Sequence, residues 1–203
     1  MRSDFVEQSV FEQIFPYMTP ANVLAVSVSL STGLRIGDVV ALRRKQLNSK
    51  NCTITFKASK TGKDGRCVIP WELCQRLRKS SGEIYIFEGK SALSHRTRQA
   101  VWANVKTATD KAGITDSNVT PHSARKNFAV NDFRRLGDLR EVQAHLQHSN
   151  ILLTEYYATS DKKKITQSYR ESDFLEQIRC VVRQEIRGII PLISDYLMHC
   201  KTQ

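Results

Sequence analysis

CTITFKASKTGKDGRCVIP, residues 52–70, is where the hydrophobic period of this chain changes. CTITFK (52–57) alternates polar with apolar and is rich in β-branched residues, and RCVIP (66–70) reads as its partner. Between them lies ASKTGKDG, in which Gly62 and Gly65 are turn residues. The stretch predicts a β-hairpin with a lysine-rich tip. IYIF (84–87) predicts one more short strand.

Outward from this hairpin the patterns are helical. Residues 4–16 and 20–31 read as helices on the N-terminal side. Pro20 suits a first helical turn, and Val23, Leu24, Val26, Val28 and Leu30 make the second helix one to bury. Gly33 supplies its stop, and a short helix, IGDVVAL, starts at Ile36. On the C-terminal side helices are predicted over 71–80 and 94–112, with Gly113 ending the latter. TPHSARKNFAVNDFRRLG follows, with Thr120 as N-cap, Pro121 in the first turn and Gly137 as stop. Asp138 caps LREVQAHLQ, and Ser149 or Asn150 caps ILLTEYYA. Two amphipathic helices, 171–187 and 189–200, follow a KKK run at 162–164. The expected fold class is mainly α with a small antiparallel β-sheet, an α+β fold.

The 203 residues suffice for one sizeable core. No apolar run reaches the ~18–20 residues needed to cross a bilayer, and the start has no signal-peptide pattern, so no membrane partner is expected. Five cysteines, an odd number with no CxxC pair, read as reduced thiols of a cytosolic protein. The net charge is +11, and it is uneven: residues 35–79 hold twelve Lys and Arg against three Asp and Glu. A basic block inside a folded domain points to a polyanion, most often nucleic acid, against the plainer reading of a solvated basic face.

Several residues carry chemistry in their setting. Arg35, in TGLRIGD, follows a buried helix and its glycine stop, so it must be paired or face a ligand. Asp38 is in reach to hold its guanidinium, and a plain surface pair is the simpler reading. Lys60 and Lys63 in SKTGK sit on the hairpin tip, where an ammonium either is merely solvated or reaches a phosphate or donates a proton. His122 and Arg125, at i and i+3 in the first turn of a helix, share a face that attracts anions. His145 and His148 have the same spacing, but no Cys or acidic cluster completes a metal site, so no metal is expected. Tyr156 and Tyr157 cannot be told apart by packing: Tyr156 lies four residues from Leu152, Tyr157 four from Leu153, and either covers a core edge.

Taken in order, these motifs resemble the catalytic domain of the tyrosine recombinases, or phage integrases, over roughly residues 5–160. TGLRIGDVVAL resembles the first arginine box, SKTGKDGRCVIP the lysine hairpin and TPHSARKNFA the second box. LQHSNILLTEYY resembles the pattern LGHxxxxxTxxY, with Thr154 six and Tyr157 nine residues after His148. That register selects Tyr157. One departure is Gln147, where the family usually has the glycine that eases a tight turn. Another is the missing N-terminal DNA clamp, so the expectation is an excised catalytic domain or a short member similar to the fimbrial-switch invertases.

The resemblance implies a DNA-cleaving and rejoining enzyme that needs no cofactor. Arg35, Lys60, His122, Arg125, His148 and Tyr157 would be catalytic, Tyr157 as the nucleophile. Arg43, Arg44, Lys45, Lys57, Lys63 and Arg66 would track the DNA backbone. The implied partners are a double-stranded attachment site and a homotetramer assembled on it, in a bacterial or phage-encoded protein of the cytoplasm serving a mobile element or prophage. The catalytic domain is expected over 1–170. The tail, 171–203, either packs on its own subunit or is exchanged between subunits, and exchange is favoured because 46 residues after Tyr157 exceed what closing one core needs. The competing readings are a type IB topoisomerase with the same chemistry, a catalytically silent DNA-binding relative, and a basic helical module of other ancestry. The short chain, the intact six-residue set and its order argue against these in turn.

Overall fold

In a computed structural model of the chain, residues 3–59, 62–147 and 154 are described. The chain divides into two compact units, Met1–Ser160 and Asp161–Gln203, and all described residues belong to the first. Lys60, His148, Tyr156, Tyr157 and the helices expected over 171–187 and 189–200 lie outside them.

Seven helices and a small sheet make up the described part: α1 (Gln8–Ile14), α2 (Pro20–Thr32), α3 (Ile36–Val40), β1 (Leu47–Asn48), β2 (Thr53–Lys57), β3 (Asp64–Val68), α4 (Trp71–Ser80), α5 (Arg98–Lys111), α6 (Pro121–Leu136) and α7 (Leu139–Leu146). The sheet is antiparallel in the order β1-β2-β3. Thr53 faces Val68, Ile54 faces Cys67 and Phe56 faces Gly65. The alternation in CTITFK acts as expected: Ile54 and Phe56 are buried, while Thr55 and Lys57 are exposed.

α2 sits at the centre because it is apolar on nearly every side, with Leu24, Ala25, Val26 and Val28 all buried. Around it pack Phe11 and Ile14 of α1, Val39 and Val40 of α3, the inner face of the sheet, and α4 and α5 through Leu77, Val101 and Val105. A second cluster joins α6 to α7 through Ala129, Phe133, Val142 and Leu146. Gly33 ends α2 with φ 67° and ψ 5°, and a Cβ there would overlap the Phe128 ring and the Leu146 side chain. Glycine is therefore required both for the left-handed backbone and for the close approach of α6 and α7.

Four expectations need correction. α5 starts at Arg98, not 94, because Thr97 caps it by accepting from the Ala100 amide. The preceding residues instead bridge backwards, His95 to Glu88 and the Arg96 amide to the Phe87 carbonyl. Residues 3–7 are not helical, because Asp4 ties to Asn118 through backbone and carboxylate and so runs extended past α6. IYIF does not form a strand of the sheet: it makes only a bridge from Tyr85 to Arg43, and the third strand is Leu47–Asn48. Gly65 is not in the turn; Gly62, with φ 67°, is. The described cysteines, Cys52, Cys67 and Cys74, are free thiols. Burial pushes Cys67 and Cys74 up to about 11, which keeps both protonated and poorly nucleophilic at neutral pH.

Candidate functional site

The site is assembled from the ends of helices. Arg35 is the N-cap of α3, held by its backbone where the chain turns out of Gly33 and Leu34. Among the described residues its half-buried guanidinium has no carboxylate partner. Asp38 does not hold it, contrary to expectation. The buried Asp38 carboxylate accepts instead from the Ser59 amide at 3.1 Å. Ser59 lies beyond the last paired residue of β2, where the sheet no longer satisfies its N–H, so a nearby carboxylate is the stronger partner. The acid of the first arginine box thereby anchors the root of the hairpin, one residue before Lys60.

α6 begins with a capping box: the Thr120 side chain accepts from the helix backbone, and the Ser123 hydroxyl accepts from the Thr120 amide at 3.2 Å. His122 and Arg125 stand in this first turn, but they do not share an exposed face as their spacing suggests. His122 is exposed, while Arg125 is 2% exposed. The longer arginine turns inward, where helix ends leave carbonyls unpaired. Its guanidinium donates to the Gly33 carbonyl and, at 2.7 Å, to the Leu146 carbonyl. It thus joins the turn before Arg35 to the end of α7, two residues before His148. Lys126, also buried, donates to the Ser3 carbonyl at 2.7 Å and pins the extended N-terminal strap.

Desolvation of the ring, followed by the charges of Arg125, Lys126 and Arg35, lowers the His122 pKa from 6.5 to about 4. Because the residue as a whole is exposed, the cations are the firmer cause; both act in the same direction. An uncharged imidazole thus stands within the field of three cations. It borders a cleft of about 580 Å³ lined also by Ser3, Ile36, Arg98, Gln99, Trp102 and Thr120. Arg98, Gln99 and Trp102 are not legible as site residues in the sequence, because no local pattern says which face of α5 borders the cleft. The signal available was Trp102, an aromatic on the polar side of α5 that remains 51% exposed.

The six residues expected to track DNA are exposed wherever described: Arg43, Arg44, Lys45, Lys57, Lys63 and Arg66. They do not form one cluster by the contacts they make. Lys57 and Arg66 line a groove of about 510 Å³ on the outer face of the sheet with Gln46, Thr55 and Asp64. Arg43 lies over the Tyr85 ring, 5.8 Å from its centroid, and Arg44 reaches the Gly82 carbonyl at 3.4 Å. His145 is committed to structure: its Nδ1 lies 2.6 Å from the buried Asp132 carboxylate, which also accepts from Arg135 at 2.6 Å.

Gln147 ends α7 with φ 51° and ψ 43°. It adopts the left-handed conformation that favours glycine, at a cost of roughly 1–2 kcal/mol. Of the stretch 148–160, Thr154 alone is described; it is helical and buried.

The family model described as "Phage integrase family" matches residues 5–164. The tyrosine recombinase XerA of Pyrococcus furiosus is 29% identical over 165 residues, which are 76% of this chain and 56% of the relative. The chain thus spans about half the length of that curated relative. Two solved structures share the fold. The XerH site-specific recombinase bound to a palindromic difH substrate aligns with a TM-score of 0.65 at 19% identity, over 82% of this chain and 52% of that one. The catalytic domain of bacteriophage HP1 integrase aligns with a TM-score of 0.61 at 22% identity, over 82% and 94%.

Proposed function

The chain belongs to the phage integrase family, and on that premise we propose that it cleaves and rejoins duplex DNA at specific sites through a covalent 3′-phosphotyrosine. The observation that carries this reading is the convergence of Arg35 with His122 and Arg125, from two turns of the fold, where His122 borders an open cleft.

In the proposed reaction the Tyr157 Oη attacks the scissile phosphorus. The Oη–P bond forms as the P–O5′ bond breaks, and a free 5′-hydroxyl leaves. A tyrosine with its usual pKa of ~10 is a poor nucleophile at neutral pH. His122, uncharged there, has the lone pair to take its proton. Lys60 gives a proton to the departing 5′ oxygen. Arg35, whose planar fork suits two phosphate oxygens, and Arg125 beneath it stabilise the charge that grows on the non-bridging oxygens. His148 holds one of those oxygens. The phosphodiester energy stays in the tyrosyl phosphate, so attack by a 5′-hydroxyl reverses every step without ATP. Arg98, Gln99 and Trp102 line the same cleft as His122, which supports their contacting the DNA next to the phosphate.

The test uses nicked duplexes drawn from the DNA flanking the gene, in which the cleaved fragment diffuses away and traps the intermediate. The unmodified protein in EDTA is expected to give a covalent protein–DNA adduct on a denaturing gel. Arg35→Ala is expected to lower its yield by about 100-fold or more. An adduct of undiminished yield from Arg35→Ala would contradict the arrangement.

A further inference from the structure

Gln147 carries three features that stability alone does not explain. Its backbone is left-handed, at φ 51°, where glycine is the unstrained choice. Its side-chain Oε1 is buried and has no hydrogen-bond partner among the described residues. Its carboxamide also fills the space above Gly65 in β3, so that a Cβ at Gly65 would overlap both Gln147 Nε2 and the Phe56 ring. Glycine at 147 would remove the strain and the orphaned oxygen together. Glycine would also remove the side chain with which the end of α7 reaches the β2–β3 hairpin at Gly65.

We propose that Gln147 is a positioning residue that registers the β2–β3 hairpin, and with it the Lys60 ammonium, against the turn leading to His148. Two anchors then define the hairpin. Asp38 holds its root at Ser59, 3.1 Å from carboxylate to amide, and Gln147 holds its second strand at Gly65. Each anchor is adjacent to a proposed catalytic residue: Ser59 precedes Lys60, and Gln147 precedes His148. Ser59 and Gly62, on either side of the β2–β3 tip, are exposed, so the hairpin is placed by the strands beneath its tip. With Gln147 the hairpin and the α7 end move as one body; with glycine there, each is free to move alone. The catalytic half of this inference rests on Lys60 protonating the leaving oxygen.

Gln147→Gly tests the mechanical half first, without DNA. Amide hydrogen exchange over residues 58–66 is expected to accelerate by roughly tenfold, while the melting temperature holds or rises. Unchanged exchange there would overturn the proposal. The catalytic half uses the trapping duplex in two forms, with oxygen or sulfur bridging the 5′ side of the scissile phosphate. Sulfur leaves as a thiolate and needs no proton. Gln147→Gly is expected to cleave the oxygen duplex roughly 10- to 100-fold slower than the unmodified protein and the sulfur duplex at the unmodified rate. Equal slowing on both duplexes would reduce Gln147 to a general structural role and overturn the proposal. Lys60→Ala, run alongside, is expected to be rescued by sulfur. If it is not, the assignment of Lys60 as proton donor fails, and the catalytic half falls with it, while the exchange result still decides whether Gln147 couples the hairpin to α7.

Discussion

At the scale of single residues, His122 and Arg125 show what an i, i+3 spacing does and does not say. The spacing places both in the first turn of α6, and this was legible from Thr120, Pro121 and the apolar residues that follow. Their opposite fates were not. Arg125 turns inward because two carbonyls, from Gly33 and Leu146, wait there unpaired, and both lie far away in sequence. Lysine at this position keeps the charge but cannot bridge two carbonyls with one planar fork. His122 stays outside, where its lowered pKa of about 4 gives a pH signature. Between pH 6.5 and 4 the unfolded chain binds a proton that the folded protein refuses. The stability His122 contributes is therefore present above pH 6.5 and lost as pH falls through this window. Urea midpoints measured from pH 7 to pH 4 are expected to fall more steeply for the native protein than for His122→Gln. Parallel profiles would show that the surrounding cations do not act on this ring.

At the scale of elements, the hairpin was the most legible part and also the most misread in detail. The period-2 pattern identified β2, and the lysine-rich tip fell between the strands. Gly65 reads as a turn residue in the sequence, since a glycine near a turn is usually there for its backbone. It is instead a strand residue opposite Phe56, needed because the Phe56 ring and the Gln147 carboxamide leave no room for a side chain. A requirement set by packing from α7 has no local mark. The same holds for Asp38, whose partner is 21 residues on. Asp38→Ala leaves the Ser59 amide without its charged acceptor and is expected to destabilise the protein by about 1–3 kcal/mol. Asp38→Asn keeps an acceptor and is expected to cost less than about half as much. Chemical denaturation of the two variants checks this, and equal losses would mean that the bond to Ser59 is not what Asp38 provides.

At the scale of the whole molecule, the fold class followed from one period change in an otherwise helical pattern. The family followed from the order of motifs, none of which is specific alone. What stayed hidden were the connections between motifs: the Arg125 bridge, the Asp38 anchor and the strap at residues 3–7 held by Lys126. The excess of twelve basic over three acidic residues between 35 and 79 also acts at this scale. Lys57 and Arg66 share one exposed groove on the sheet. If that face lies on DNA, the double variant Lys57→Ala/Arg66→Ala is expected to make the slope of log K against log salt shallower by about 2. An unchanged slope would place the DNA elsewhere.

In the proposed reaction the chain cuts DNA with one particular tyrosine of an adjacent pair. The direct measurement is to digest the trapped adduct and sequence the DNA-linked peptide by mass spectrometry, with Tyr156→Phe and Tyr157→Phe in parallel. The expected result is a 3′-phosphate linked to Tyr157, an adduct that persists in Tyr156→Phe and none in Tyr157→Phe. A linkage to Tyr156, or an adduct that survives Tyr157→Phe, would contradict it.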